Sequence, residues 1–589
     1  MTRHLVIAIA AGIALVAAII APFFASTFTL TIATNALVFA IFAVSLNLIL
    51  GYAGLPSLGH AAFFGAGAYA VGLLLHISVT NFVIAVIVAV IASALLSAVL
   101  GPVLLRTRGT YFLMATLAVG EVMRNLAISW RSVTNGDDGL YGIKLPAVLA
   151  TGDNFYFFLL AALVVIVGVM AILMRSPFGH TLRAVRDNRN RASVLGINPF
   201  IIEMSAFVIG AAIAGFAGAM FAYAKGFVSP GVLSVEMSAD GLLMVVMGGP
   251  ATLLGPVGGA VVVEAIRGIG STYTGRWLTI LGLLACIVAL NPRRFVSRVW
   301  SRLSVAPELD APAEAPAKAA IEPAAKPAAP SPLAAPRISR EAPVAMEARN
   351  IAKHYYGLNV LTDISLSIAA GERRGLIGPN GAGKTTFLNI LSGLIPPNGG
   401  VVRFGDRDIT ALPPYERAKL GIGRTFQIGN LFNDNTVREN IVIGLLAREG
   451  YSLRFARSLS RYDALQDEAT RLLSEWGLRQ WEHVPVNLLA YGQRRLVEIV
   501  LAVSQRPKVI LFDEPAAGLS GQETKAIIRT ISALDPQLSL LIVEHDMDLV
   551  FSVCDSVTVI ANGRVLAEGV GDTVRRDKNV IEAYLGMPL

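Results

Sequence analysis

Cysteine is nearly missing from this chain: there are two in 589 residues, Cys286 in an apolar run and Cys554 far from it. Two thiols so placed exclude a disulfide framework and a cysteine-based metal centre. Charge is scarce as well. Asp, Glu, Lys and Arg make up 15% of the chain, apolar residues make up 54%, and the mean hydropathy is +0.61. A purely soluble enzyme carries more charge than this. Acids are rarest in the first half, where residues 1–300 hold 17 Lys and Arg against 9 Asp and Glu. That excess accounts for the whole net charge of +8, and the remainder of the chain is neutral. The pI of 9.5 therefore reports basic loops beside apolar segments and excludes a basic face for nucleic acid. A chain of this length exceeds one core and implies at least two domains.

What the sequence has in abundance is long apolar runs. A bilayer span takes roughly 20 apolar residues. The runs 4–24, 28–50, 57–77, 81–105, 111–130, 154–174, 201–225 and 277–290 qualify, as does a glycine-broken region at 238–268. The opening charge at Arg3 suits a secretory leader. The run after it is too long, however, no small-x-small cleavage pattern follows, and more spans come next, so it is expected to be the first span. Basic clusters mark cytoplasmic ends: Arg106 and Arg108; Arg175, Arg183, Arg186, Arg189 and Arg191; Arg293, Arg294 and Arg298. All three lie on one side only if 238–268 crosses twice or dips in and returns. Gly248-Gly249-Pro250 and Gly255-Pro256 supply the break. Broken backbone is tolerated at membrane depth only where it is buried or lines a cavity. Residues 1–302 are thus expected to be an all-α polytopic domain of about ten crossings, with its N-terminus inside.

Within this domain the interrupted stretches Gly51–Ala70 and Gly248–Gly259 are candidates for a substrate path. Gly65, Gly67, Ala68, Gly210, Gly215 and Gly218 read as close helix packing. Intramembrane acids are costly and are functional candidates by default, here Glu121, Glu203, Asp240 and Glu264. Glu121 has Arg124 one turn on as a partner, while Glu203 and Asp240 are expected at interfaces. The basic segment 175–200 lies between Pro177 and Pro199. It reads either as a positive-inside loop or, the favoured reading, as a helix docking onto a cytoplasmic motor.

Residues 303–343 are Ala/Pro-rich and are expected to form a disordered, extended spacer. Joining two units in this way raises their local concentration. Residues 344–589 then change to short β-rich runs and amphipathic helices, an α/β pattern.

This last part carries the motor. Gly378-Pro379-Asn380-Gly381-Ala382-Gly383-Lys384-Thr385-Thr386 follows the strand-like Arg374–Ile377 and precedes a helical pattern. That strand, glycine loop and helix form a phosphate-binding loop. Its glycines let backbone N–H groups approach phosphates, Lys384 neutralises β and γ oxygens, and the Thr385 hydroxyl holds Mg²⁺. Val509–Phe512 is an apolar run ending in Asp513, suited to hold Mg²⁺, and Glu514, suited to polarise the attacking water. A second apolar run, Leu540–Val543, ends at Glu544-His545, and His545 is the candidate γ-phosphate contact.

Leu489-Ala490-Tyr491-Gly492-Gln493, at the start of a helical pattern, resembles the signature of ATP-binding cassette (ABC) proteins, usually LSGGQ. With the phosphate loop, Gln427, Asp513-Glu514 and His545 in the family order, the resemblance covers about 345–589. It implies that Tyr355 stacks on adenine and that Gln427 links Mg²⁺ to the membrane domain. It also implies that the signature residues complete the site of an opposing cassette. Ala490 replaces the usual serine, and Ser520 stands where many cassettes have Asp. The membrane half resembles a branched-chain amino-acid importer permease at 47–70, 108–121, 214–230 and 242–260. The cassette resembles the ATPase of the same systems at 421–432, 543–550 and 580–586. In the related permeases the 175–200 loop often carries an acid near Arg189. The resemblance implies a multi-domain chain, permease fused to ATPase, that uses ATP and Mg²⁺ in the bacterial cytoplasmic membrane. Its implied partners are membrane lipid, a second permease, a second cassette and a periplasmic solute-binding protein. ATP-driven import of branched-chain or related hydrophobic amino acids is the leading expectation. The alternatives are the same machine moving urea, amides or aromatic or carboxylate compounds, or a tethered ATPase that regulates a partner without transport. Export is disfavoured, because exporters extend fewer spans with long cytoplasmic helices.

Overall fold

The structure is a computed structural model and describes residues 3–150, 153–273, 276–290, 343–426, 431–433 and 435–585. The expected spacer, apart from Pro343, and Gln427 lie outside the described residues. The described residues form two compact units. One takes the chain up to Arg186 and from Phe200 through the membrane half, and the other combines Asp187–Pro199 with the C-terminal half.

In the first unit every expected apolar run becomes helix. Among the described residues five helices are long and apolar enough to cross a membrane: Thr27–Tyr52, Phe82–Leu104, Thr110–Ser129, Asn154–Arg175 and Pro199–Lys225. Gly12–Phe24 and Ala61–His76 are shorter apolar helices. The helix from Thr27 is buried from Ala36 to Asn47. The helices approach closely where a side chain is missing. A Cβ on Gly67 would lie 2.1 Å from the Gly215 carbonyl oxygen, and one on Gly218 would lie 1.8 Å from that of Phe64. Small residues serve packing here, because backbones meet where lipid supplies no hydrophobic drive.

The region 238–268 forms two helices, Val235–Gly248 and Gly255–Tyr273. They fold back on each other, as a Cβ on Gly259 would lie 1.9 Å from the Met244 carbonyl oxygen. The break between them needs backbone partners, and Asn47 provides them. Asn47 Nδ2 donates to the Thr252 carbonyl at 2.8 Å, and the Ala251 N–H donates to Asn47 Oδ1 at 2.9 Å. Just past Asn47 the helix widens into a π-turn, Leu48–Tyr52, and Arg186 Nη1 donates to the Gly51 carbonyl at 2.9 Å. Such widenings release carbonyls and cluster at functional sites.

Each of the four acids singled out in the sequence meets an arginine. Glu121 and Arg124 pair at 3.7 Å as anticipated. Glu203 is buried and takes a forked pair from Arg108, at 2.9 and 2.7 Å. Asp240 and Glu264 share Arg267, whose guanidinium also lies 5.6 Å from the centre of the Phe39 ring. Fork-shaped donors satisfy two carboxylate oxygens at once, which is what a buried acid requires.

The described residues of the second unit hold two sheets. The first is antiparallel, in the order Leu358–Ala369, Val344–Tyr355, Gly399–Phe404, Arg407–Asp408. The second has six strands in the order Arg564–Gly569, Ser556–Ala561, Arg373–Ile377, Ser539–Val543, Val509–Asp513, Ile422–Arg424. All its pairings are parallel except that of the first two strands. Its strands Arg373–Ile377, Ser539–Val543 and Val509–Asp513 are buried along their full length, as parallel strands covered on both faces are. Register aligns Val543 with Leu376 on one side and Asp513 on the other. The phosphate loop, the acidic pair and Glu544-His545 therefore leave the sheet side by side at its carboxyl edge, where open α/β sheets place ligands.

Candidate nucleotide-binding site

The phosphate loop runs from Ile377 into the helix Lys384–Leu391. Gly383 has φ +99°, and a Cβ there would lie 2.6 Å from Leu361, so only glycine fits. Lys384 is buried, and its Nζ donates to the carbonyls of Gly378 at 2.6 Å and Pro379 at 3.0 Å. Burial lowers its pKa, while Glu514 and Asp513 oppose that shift. Thr385 and Asn380 are exposed, whereas Ala382 is buried beneath the loop. The far end of this helix is held by Arg417, which donates to the carbonyls of Ile390 at 2.7 Å and Leu391 at 2.8 Å. A cation there completes the helix's unpaired carbonyls and favours its dipole.

Asp513 is buried at the end of its strand. Its Oδ2 accepts from Arg424 Nη2 at 3.1 Å, and its Oδ1 has no hydrogen-bond partner among the described residues. Burial raises its pKa, with Arg424 pulling the other way. A buried, unpaired carboxylate oxygen is costly. It fits a hard divalent cation, which takes oxygen donors such as this carboxylate and the Thr385 hydroxyl.

Glu514 follows in the left-handed region, at φ +46°, with its N–H donating to the Val543 carbonyl at 2.8 Å. That bend is uncommon for a non-glycine residue and turns the side chain out of the strand line. Glu514 Oε1 meets His545 Nε2 at 3.0 Å. The neighbouring Glu544 is structural: one oxygen accepts from the Ala516 N–H at 2.6 Å and the other from the His545 N–H at 2.9 Å. Tyr355, 38% exposed, closes its strand with the Lys353 ammonium 5.0 Å from its ring centre.

The signature residues open the helix Tyr491–Ser504. Gln493 Oε1 accepts from the Ala490 N–H at 3.0 Å, but Ala490 has no oxygen to cap the helix in return. Tyr491 Oη donates to the Ala517 carbonyl at 2.9 Å, tying the signature to the segment after Glu514. Gly492 and Gln493 are buried, as is Leu489, while Ala490 is exposed. Ser520 caps the following helix, with its N–H and hydroxyl both donating to Glu523, at 2.9 and 2.8 Å.

Several residues that position this site carry no motif. Arg495 Nε donates to the Pro515 carbonyl at 3.0 Å and its Nη2 to the Asp513 carbonyl at 2.8 Å; Nη2 also bonds the Glu514 carbonyl. Glu498 Oε1 accepts from the Phe426 N–H at 2.6 Å, and its Oε2 from Arg495 Nη1 at 2.6 Å. The only trace in sequence is charge at positions 495 and 498 on an otherwise apolar helix face. The structure also splits the basic segment 175–200 into two helices, Pro177–Asp187 and Arg189–Val194, with Asn188 Oδ1 accepting from the Arg191 N–H at 2.9 Å. The second helix belongs to the ATPase unit, in line with docking. In the membrane half the candidate stretch Gly51–Ala70 contains His60, which the motif reading passed over. It is fully buried, stacked 5.5 Å from Phe42, with Nε2 2.9 Å from Ser45 Oγ.

Comparison with known proteins agrees with both halves. A family model described as branched-chain amino acid transport system / permease component matches residues 28–290, and one described as ABC transporter matches 361–517. The high-affinity branched-chain amino acid transport ATP-binding protein BraF of Pseudomonas aeruginosa is 34% identical over 251 residues, 41% of this chain and 97% of BraF. LivG of Salmonella typhimurium, described likewise, is 37% identical over 240 residues, 39% of this chain and 93% of LivG. The lipopolysaccharide export system ATP-binding protein LptB of Escherichia coli is 34% identical over 242 residues, 41% of this chain and 97% of LptB.

Proposed function

Since this chain belongs to the branched-chain amino-acid transport family of ABC transporters, with permease and ATP-binding components in one polypeptide, we propose that it imports branched-chain or related hydrophobic amino acids at the expense of ATP. The observation that supports this best is one chain holding both a permease-family domain and a full set of hydrolytic groups on one sheet edge. An ATPase similar to this one also serves an export system, so the permease half carries the direction and cargo of the reading.

In this reading Lys384 and the loop N–H groups hold the β- and γ-phosphates, and Tyr355 stacks on adenine. Thr385, Asp513 and Gln427 hold Mg²⁺, which neutralises charge on the phosphates when bound. Glu514 orients the attacking water and takes its proton. His545, 3.0 Å from Glu514, holds that carboxylate and contacts the γ-phosphate. Leu489 to Gln493 present the helix N-terminus to an opposing cassette's nucleotide, so a second ATPase is required. A second permease and a periplasmic solute-binding protein complete the machine in the bacterial cytoplasmic membrane. Residues 1–302 form the permease, 303–343 the spacer and 344–589 the motor.

The test is uptake of labelled leucine by proteoliposomes containing this chain and its partner subunits. ATP-dependent accumulation that needs the binding protein supports the proposal. ATP hydrolysis stimulated by the loaded binding protein, without accumulation, refutes import.

A further inference from the structure

Arg191 lies in the excursion between the helices that end at Arg175 and begin at Pro199. Its side chain is fully buried, and its Nη1 donates to Glu498 Oε1 at 2.8 Å, across 307 residues of sequence. Its guanidinium also lies 5.6 Å from the centre of the Phe426 ring. A buried guanidinium is expensive, and well-packed apolar residues of the same volume hold two surfaces together at least as well. Adhesion alone therefore does not account for the charge.

The partner supplies a reason. Glu498 is one member of a continuous chain of hydrogen bonds. It holds the Phe426 N–H, next to Gln427, and it holds Arg495. Arg495 in turn grips the carbonyls of Asp513, Glu514 and Pro515. Those three carbonyls flank the left-handed bend that aims the Glu514 carboxylate. A shift of Arg191 thus changes the charge balance at Glu498, and through Arg495 it changes the backbone that carries the hydrolytic acid. Glu498 pairs with Arg495 as well as with Arg191, so its carboxylate joins the two guanidiniums in one network.

We propose that Arg191 is a positioning residue through which the 187–199 segment controls hydrolysis, acting on Glu514 by way of Glu498 and Arg495. The inference rests on the import reading above, in which movement of the permease must reach the nucleotide. Only one N–H of Arg191 is engaged on Glu498; its Nε and Nη2 have no partner among the described residues. A lysine ammonium delivers that single charged donor, whereas methionine fills the space without charge.

The test uses the full chain with its partner subunits in proteoliposomes, reading ATP hydrolysis with and without leucine-loaded binding protein. In Arg191→Met the ratio of stimulated to basal hydrolysis falls by about tenfold, a usual strength of coupling between sites. Arg191→Lys restores most of that ratio. A ratio in Arg191→Met equal to wild type overturns the proposal, as does an equal loss in the Met and Lys variants, which marks a packing role only. If wild-type hydrolysis ignores the loaded binding protein, the import reading fails first and takes this inference with it.

Discussion

The nucleotide site and the broken hairpin at 235–273 are built in opposite ways. At the nucleotide site, three short motifs, each contiguous in sequence, leave three adjacent parallel strands. At the hairpin, the tip is held by Asn47, some 200 residues away, and by glycines that carry no chemistry of their own. The first kind of site concentrates its function in a few side chains. The second spreads it over close backbone approaches. The two should therefore fail differently.

The largest effects are expected at the motor. Lys384→Ala removes the cation from the phosphate loop and abolishes nucleotide binding in an equilibrium binding assay. Glu514→Gln retains ATP but lowers phosphate release by about 10²- to 10⁴-fold, the usual share of a general base. A Glu514→Gln chain with full uptake would refute its role.

Next come the structural effects of the membrane half. Gly218→Val puts a side chain where the Phe64 carbonyl oxygen lies 1.8 Å from the added Cβ, and overpacking costs about 1–3 kcal/mol. The check is a lowered unfolding temperature in detergent, with nucleotide affinity unchanged. Glu203→Gln strips the Arg108 fork of its charge. Arg108 is 37% exposed, so the pair is only partly desolvated and the expected loss is about 2 kcal/mol, below that of a fully buried pair.

A pH effect separates the halves further. Burial raises the pKa of Asp513, so the folded protein holds a proton there to a higher pH than the unfolded chain does. The sign follows: this group favours folding below its unfolded value near 3.8, and that contribution is lost as pH rises through the raised folded value. Cation binding needs the ionised form, so the Mg²⁺ concentration for half-maximal hydrolysis rises on acidification, starting above the range of an ordinary aspartate. Asp513→Asn should flatten that profile in a Mg²⁺ titration. The smallest effect expected is that of Ala490→Ser, which restores the missing N-cap oxygen and stabilises the signature helix by about 1 kcal/mol, read by thermal unfolding.

Much of the fold and site was legible in order along the chain. Apolar runs became helices because a bilayer-length apolar stretch leaves the backbone no other partner. The glycines before Lys384 marked the phosphate loop because few residues permit that bend. The partner of Glu203 was not legible because Arg108 lies 95 residues earlier, and the link from Arg267 to Asp240 was not legible because the two lie 27 residues apart. Glu498 and Arg495 were missed because their function lies in carbonyls that any residue can supply.

The sequence by itself determined the two halves, the phosphate loop, the acidic pair after Phe512, and the break near Gly248–Pro256. Each is a local backbone or burial constraint that particular residue types satisfy at short range. The tertiary structure alone decided the distant partners of the buried charges: Arg108 with Glu203, Arg267 with Asp240, Arg191 with Glu498. A buried charge must find its opposite wherever the folded chain brings one, and sequence spacing carries no record of that distance.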